Sequence, residues 1–240
     1  MELGYTLVFT VFPYVCLTVF VVGHGYRYVT DRYKWNARSS EFLEKKSLLY
    51  GSVLFHWGMV GTFLGHAGGL LIPQRYFDLA GIDAHTHVAI AYGAGLAVGM
   101  AAFVGAGLLL WRRLATARVH AAGTLNDTVT IGGLVVVIGL GLYNVVFGHY
   151  NVLDTLAPWI RGVVTFTPDA ALMREVPLSY KLHVLSALAL LGFSPFSRLV
   201  HIWSLPATYF VRRSIVFRRQ PGNPYGILST PYLKPGRKEG

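Results

Sequence analysis

Five runs of the chain contain no Asp, Glu, Lys or Arg: residues 3–26, 47–74, 84–111, 128–153 and 182–197. Leu, Val, Ala, Gly and aromatic residues fill them, without the polar face that a helix at a water-washed surface carries. A helix needs about 20 predominantly apolar residues to cross a bilayer core. The first four runs exceed that, and the fifth reaches it when counted from about residue 178. The pattern predicts an all-α integral membrane bundle of five transmembrane helices. The first runs from about 3 to 28, kinked at Pro13, and the second from 47 to 72, stopped by Pro73. The third covers 85–111 and ends on Arg112 and Arg113; the fourth starts behind the Asn126-Asp127 cap signal and ends near 149. The fifth runs from about 178 towards 203 with Pro195 in its middle, after a long connection, 150–177, punctuated by Pro158, Pro168 and Pro177. Residues 1–219 read as one membrane domain and 220–240 as a Pro/Gly-rich cytoplasmic tail without a core of its own.

Composition excludes the alternatives. Hydrophobic residues make up 53% of the 240 and charged residues 13%, about half the share of a soluble domain. A soluble enzyme, a secreted disulfide scaffold and a disordered chain are ruled out. The net charge of +10 is one-sided: Lys and Arg number six in 27–46, three in 112–127 and eight from Arg198 onwards, against one in 75–83 and three in 154–181. The positive-inside rule places the N-terminus outside and the C-terminus in the cytoplasm, the opposite ends that an odd number of spans requires. The surplus is therefore mainly a topology signal, with contact to anionic membrane lipid or to an acidic partner as the remaining reading, not a nucleic-acid footprint. The first run lacks a basic leader and a small-x-small cleavage pattern, so it reads as a span rather than a signal peptide. The single Cys16 leaves no route to a disulfide, a Cys-ligated cluster or a c-type haem. Any metal here is held by histidine.

Of nine histidines, His56, His66, His183 and His201 fall inside apolar spans, where an ionisable ring is costly and marks a functional site by default. By the charge topology the second span rises from the cytoplasm and the fifth descends towards it. Antiparallel neighbours then bring His66 level with His183 and His56 level with His201. Two levels with two histidines each suit two bis-histidine b-type haems stacked across a bilayer, built from facing helices in a bundle core. The spacings differ: ten residues on the second span rise about 15 Å and eighteen on the fifth about 27 Å. A tilt, or a bend at Pro195, is needed to match them. The second span also carries Gly51, Gly58, Gly61, Gly65, Gly68 and Gly69. Two readings stay open for them: close helix packing, as at Gly61/Gly65 and Gly65/Gly69, or a bare backbone beside a flat macrocycle. His24, His120 and His149 read as interfacial residues. His85 and His87, near the level of His66, are partners for a quinol hydroxyl or haem propionates; Arg75 and Arg198 either pair propionates or snorkel.

Several segments resemble one known family: Phe55-His56-Trp57-Gly58, Gly65-His66, Lys181-Leu182-His183, and the run from Phe193 through Pro195, Arg198 and His201 to Ser204. Residues Trp35-Asn36-Ala37-Arg38-Ser39-Ser40 and Val163-Val164-Thr165-Phe166 fit the same pattern. Over roughly 5–219 the chain is similar to the gamma subunit, the di-haem cytochrome b membrane anchor, of membrane-bound respiratory nitrate reductase. The resemblance implies two haems b, with His66 and His183 on the outer, distal one and His56 and His201 on the inner, proximal one. It implies a multi-pass protein of the bacterial cytoplasmic (inner) membrane that oxidises quinol at its outer face and releases the protons there. Electrons would pass to an iron–sulfur beta subunit and a molybdenum alpha subunit on the cytoplasmic side, where nitrate is reduced. The alternative is a di-haem b quinone-interacting subunit of a different molybdenum or iron–sulfur oxidoreductase. Members of the family can carry a lysine in the outer loop before the third span; here that loop reads Ile82-Asp83-Ala84-His85-Thr86-His87. The candidate quinol site is thus Gly65, His66, His85 and His87, with a neutral imidazole as proton acceptor.

Overall fold

The computed structural model describes residues 2–31 and 44–203. The 35–40 segment and the tail, 220–240, lie outside the described residues. All regular structure among the described residues is helical. Among the described residues four helices are long and apolar enough to cross a bilayer: Glu2–Thr30, Lys46–Leu71, Ala84–Ala115 and Leu125–Gly148. Only 11–22% of their most apolar stretches is buried within the chain. Their apolar faces point outward, as they do when the surrounding solvent is lipid.

Helix α1 comprises Glu2–Thr6, a π turn over Leu7–Val11, and Phe12–Asp31. Pro13 has no N–H, and its ring crowds the carbonyl four residues back, that of Phe9. The wider π turn sits at that point, and the buried Trp159 indole Nε1 donates to the Phe9 oxygen at 2.9 Å. Helix α2 (Lys46–His66) runs into a π turn, Ala67–Leu71, and stops as Ile72 becomes extended before Pro73. Short α3 (Gln74–Leu79) leads to α4 (Ala84–Ala115), whose N-cap Asp83 accepts from the Thr86 amide at 2.7 Å. Beyond α5 (Ala117–Ala121), α6 starts at Leu125. Its cap is Thr124, with Asp127 completing a capping box at the third helical position, so the Asn126-Asp127 signal marks the first turn rather than the cap. The α-helical part ends at Tyr143 and a π turn, Asn144–Gly148, follows.

Two segments differ from the sequence expectation. The connection 150–177 contains α7 (Leu156–Val164), which buries Leu156, Ala157, Trp159 and Val163 on one side. The fifth span is not one helix. Helix α8 (Leu178–Phe193) gives way to a 3₁₀ turn, Ser194–Phe196, an extended Ser197 and a second 3₁₀ stretch, Arg198–Trp203. Pro195 and Ser197 break the ladder rather than bend it.

Helix α2 packs on α4, α4 on α6, α6 on α8, and α8 on α1. The α2–α4 contact is backbone to backbone. A Cβ on Gly58 would lie 2.7 Å from the Cα of Ala102, and one on Gly105 the same distance from the Cα of Phe55. Close packing therefore runs over Gly51, Gly58, Gly61 and Gly105, while Gly65 and Gly68 face open space. The expected pairs Gly61/Gly65 and Gly65/Gly69 do not form the packing stripe. Two buried clusters hold the bundle. One joins Phe9, Trp159, Val163, Met173 and Tyr180; the other joins Phe55, Ala102, Ala106, Leu134, Ile138 and Leu199.

Candidate functional site

Helix α2 carries His56 and His66 two and three-quarter turns apart, each braced by its own helix. His56 Nδ1 faces the Ser52 carbonyl at 2.7 Å, and His66 Nδ1 the Thr62 carbonyl at 2.7 Å. His183, on α8, turns its Nδ1 to the Val137 carbonyl of α6 at 2.9 Å. His201, beyond the helix break, has Nδ1 2.6 Å from the Arg198 carbonyl. A carbonyl oxygen only accepts, so each Nδ1 carries the proton and each Nε2 keeps the lone pair that a metal requires. Such bonds to the far ring nitrogen are how ligating histidines are oriented.

The four rings meet in pairs. His66 and His183 have centroids 6.0 Å apart, and so do His56 and His201. The α-helical rise beyond His183 stops at Phe193, and His201 follows an extended residue in a separate 3₁₀ stretch, so the eighteen residues from His183 to His201 are not one α-helical rise. A metal gripped by two imidazole nitrogens at about 2.0–2.1 Å each keeps the ring centroids about 6 Å apart. Both pairs would fit a metal shared between two imidazoles on that measure. Among the described residues no group of three or more His, Cys, Asp or Glu side chains gathers into a metal-binding cluster, so two pairs of imidazoles are the available ligand sets.

The surroundings of the His66–His183 level also suit a flat, partly polar group. A Cβ on Gly141 would lie 3.0 Å from Cε1 of His183, so the absence of a side chain there lets this ring approach α6 closely. Gly65 and Gly68 leave the flank of α2 open. The buried Thr62 hydroxyl and both polar atoms of the buried Asn144 carboxamide have no partner among the described residues. Orphaned polar atoms of this kind call for a ligand or an ordered water. Asn144 opens the π turn of α6, a form of helix frequent at functional sites.

The remaining candidates separate by environment. His87 is 6% exposed; its ring stacks on Phe77 at 4.0 Å and its Nδ1 lies 2.7 Å from the Oε1 of Gln74. The Gln74 amide nitrogen donates to the Ile82 carbonyl at 3.1 Å and to Asp78 Oδ1 at 2.9 Å. That orientation leaves Oε1 to accept from His87, whose Nε2 is then the lone-pair nitrogen, beside Gly69. His85 is exposed in the first turn of α4. Arg198 pairs with Asp127, and Arg75 lies over the Tyr76 ring at 4.8 Å. His24 faces the Phe20 carbonyl at 2.8 Å, His149 lies near Tyr92, and His120 is exposed. Arg161, from α7, reaches the Leu70 carbonyl at 2.9 Å and ties α7 to the π turn after His66. Gln74, Gly141, Asn144 and Arg161 escaped the reading of the sequence, and Asp127 entered it only as part of a helix-cap signal; Asn144, a polar residue inside an apolar run, is the one of them that the sequence pattern could have marked.

Comparison with known proteins is consistent along the whole domain. The profile of the nitrate reductase gamma subunit family matches residues 5–220. The chain is 40% identical to the nitrate reductase gamma chain of Bacillus subtilis over 214 residues, which cover 88% of this chain and 96% of that protein. It is 34% identical to the respiratory nitrate reductase 2 gamma chain of Escherichia coli over 216 residues, covering 88% of this chain and 95% of that one. The respiratory nitrate reductase 1 gamma chain of the same organism is 35% identical over 210 residues, covering 85% and 93%.

Proposed function

The chain belongs to the nitrate reductase gamma subunit family, a subunit of an oxidoreductase complex rather than its catalytic subunit, and from that premise we propose that it carries two b-type haems and oxidises quinol for its partners. The observation that carries this reading is the pair of 6.0 Å imidazole couples at two levels of one bundle. His66 and His183 hold the outer haem and His56 and His201 the inner one. Each haem, when bound, supplies a one-electron redox centre. The protein's part is to present Nε2 with the ring fixed through Nδ1, to exclude water with apolar helix faces, and to keep α2 bare at Gly65 and Gly68.

Quinol binds at the outer end of α2, beside Gly65 and His66. His87 is the proton acceptor there rather than the exposed His85. The Gln74 carboxamide holds its Nδ1–H, so Nε2 takes the hydroxyl proton and releases it to the outer side. The fifth crossing of the membrane consists of α8 and the 3₁₀ segments after it. The charge asymmetry supports an outer N-terminus and a cytoplasmic C-terminus in the bacterial cytoplasmic membrane. Electrons from quinol are delivered to iron–sulfur beta and molybdenum alpha subunits on the cytoplasmic side, where nitrate is reduced.

A reduced-minus-oxidised optical spectrum of the purified complex, with haem quantified per gamma chain, tests the proposal. Two b haems per chain are expected. One haem would remove one of the two pairs from the reading, and none in an assembled complex would overturn it.

A further inference from the structure

Three of the four paired histidines are oriented by carbonyls inside regular helix: Ser52 and Thr62 in α2, Val137 in α6. His201 is the exception. Its orienting carbonyl belongs to Arg198, in the segment that follows the break of α8 and has no α-helical ladder to hold it. Other helices hold it instead. The Arg27 guanidinium of α1 donates to the Pro195 carbonyl at 2.6 Å and to that of Ser197 at 3.3 Å. Asn126 Nδ2 of α6 donates to the Phe196 carbonyl at 2.9 Å, and Ser197 Oγ to the Ser194 carbonyl at 3.1 Å. These contacts fix the backbone of the break up to Ser197, immediately before the residue whose carbonyl faces His201.

Arg198 itself is fixed by Asp127. The carboxylate is 7% exposed and takes both arms of the guanidinium: Nε on Oδ1, and Nη2 on Oδ2 at 2.8 Å. The same Oδ2 accepts from the Thr124 amide at 2.9 Å and lies 3.3 Å from an Arg113 Nη2. A bidentate arginine–carboxylate pair is geometrically specific as well as strong, and Asp127 cannot shift because the capping box pins it to the start of α6. We propose that Asp127 is the positioning residue for His201: through Arg198 it sets the orientation of the imidazole and the electric field at the inner iron. This rests on the assignment of His56 and His201 to the inner haem.

The direction of the effect follows from charge. One carboxylate stands against two guanidinium groups here, those of Arg113 and Arg198. Without its charge, the site gains one net positive charge. Added positive potential favours the reduced iron, which carries one positive charge fewer, so the midpoint potential rises.

The test is Asp127→Asn in the assembled membrane complex, with a redox titration of each haem and the low-spin EPR spectrum. Asparagine still accepts from the Thr124 amide, so the helix start is kept. The expected result is two haems per chain, an upward shift in the potential of one haem, and altered g-values of that same haem. His201→Ala identifies which haem it is, because it removes that signal. Two retained haems with unchanged potentials and EPR would overturn the proposal, and so would an equal shift of both. If Asp127→Asn fails to assemble, Arg198→Lys keeps the charge and loses the fork. The inner haem's g-values should then move with little change in potential, and unmoved g-values overturn the proposal. Fewer than two haems per chain in the unaltered complex would place the fault in the haem assignment, and the proposal falls with it.

Discussion

Gly141 of α6 packs closely against the imidazole of His183: a Cβ at that position would be 3.0 Å from Cε1 and 3.4 Å from Nδ1. The same stretch of α6 supplies the Val137 carbonyl that holds the ring. Contact and hydrogen bond together define one orientation. Gly141→Leu should displace the ring and lower the haem content from two per chain to one, with the outer haem lost. A pyridine haemochrome assay of the purified complex checks this; two haems with an unchanged outer-haem spectrum would show that the close approach is dispensable.

The two levels predict separable losses. His66→Ala or His183→Ala should remove the outer haem and abolish quinol oxidation while the inner haem persists. His56→Ala or His201→Ala should remove the inner haem and stop delivery to the partner subunits. Haem-resolved EPR on the four variants reads the outcome directly. A variant that keeps both haems would break the pairing to which its residue belongs.

At the outer end, Gln74 and His87 act as a unit, because Gln74 Oε1 is the acceptor for His87 Nδ1. Replacing His87 with leucine should slow quinol oxidation by about 10²–10⁴-fold, the usual worth of a positioned general base, while His85→Leu leaves the rate within a few-fold. Gln74→Leu should lower kcat with smaller effect on KM. Steady-state quinol oxidation, with haem content measured in parallel, separates these results from loss of cofactor. Equal losses at His85 and His87 would reverse the choice between them.

The Trp159–Phe9 hydrogen bond predicts a purely structural phenotype. Trp159→Phe leaves the buried Phe9 carbonyl without its indole donor, which costs about 1–3 kcal/mol, and opens a small cavity besides. Thermal denaturation in detergent should show the loss, with both haems retained. A melting transition identical to the unaltered protein would mean that the carbonyl finds another donor.

The contact between α2 and α4 leaves no room for a side chain at Gly58, so Gly58→Val must push the helices apart. Because α2 carries both His56 and His66, assembly of both haem levels should suffer together. Gly65→Ala meets nothing within contact distance and should leave folding unaffected. The contrast, measured as yield of haem-loaded complex, distinguishes packing glycines from the one beside the proposed quinol site.

Much of this arrangement could be read from the chain before any coordinates. The apolar runs, the Lys and Arg asymmetry, Pro73, and the four histidines inside spans are local properties of composition and order. Solvent acts on each residue separately, so the sequence by itself determined which segments avoid water and which polar groups stand inside them. It also marked Pro13 and Pro195 as points where a helix kinks or bends, because a missing N–H is a property of the residue alone. Tertiary structure decided everything that depends on which distant residues meet. The α-helix that starts at Leu178 ends at Phe193 instead of bending, because Arg27 and Asn126 from other helices satisfy backbone carbonyls that its own ladder does not, and Asp127 grips the Arg198 side chain beyond them. Gly58 packs and Gly65 does not, although both are glycines on one apolar helix, because only Gly58 faces α4. Gly141 meets the His183 ring, and Gln74 holds His87, through contacts that chain order alone does not specify. Hydrogen bonds and van der Waals contacts reach only a few ångströms, and the placement of those segments is set by the packing of the whole bundle.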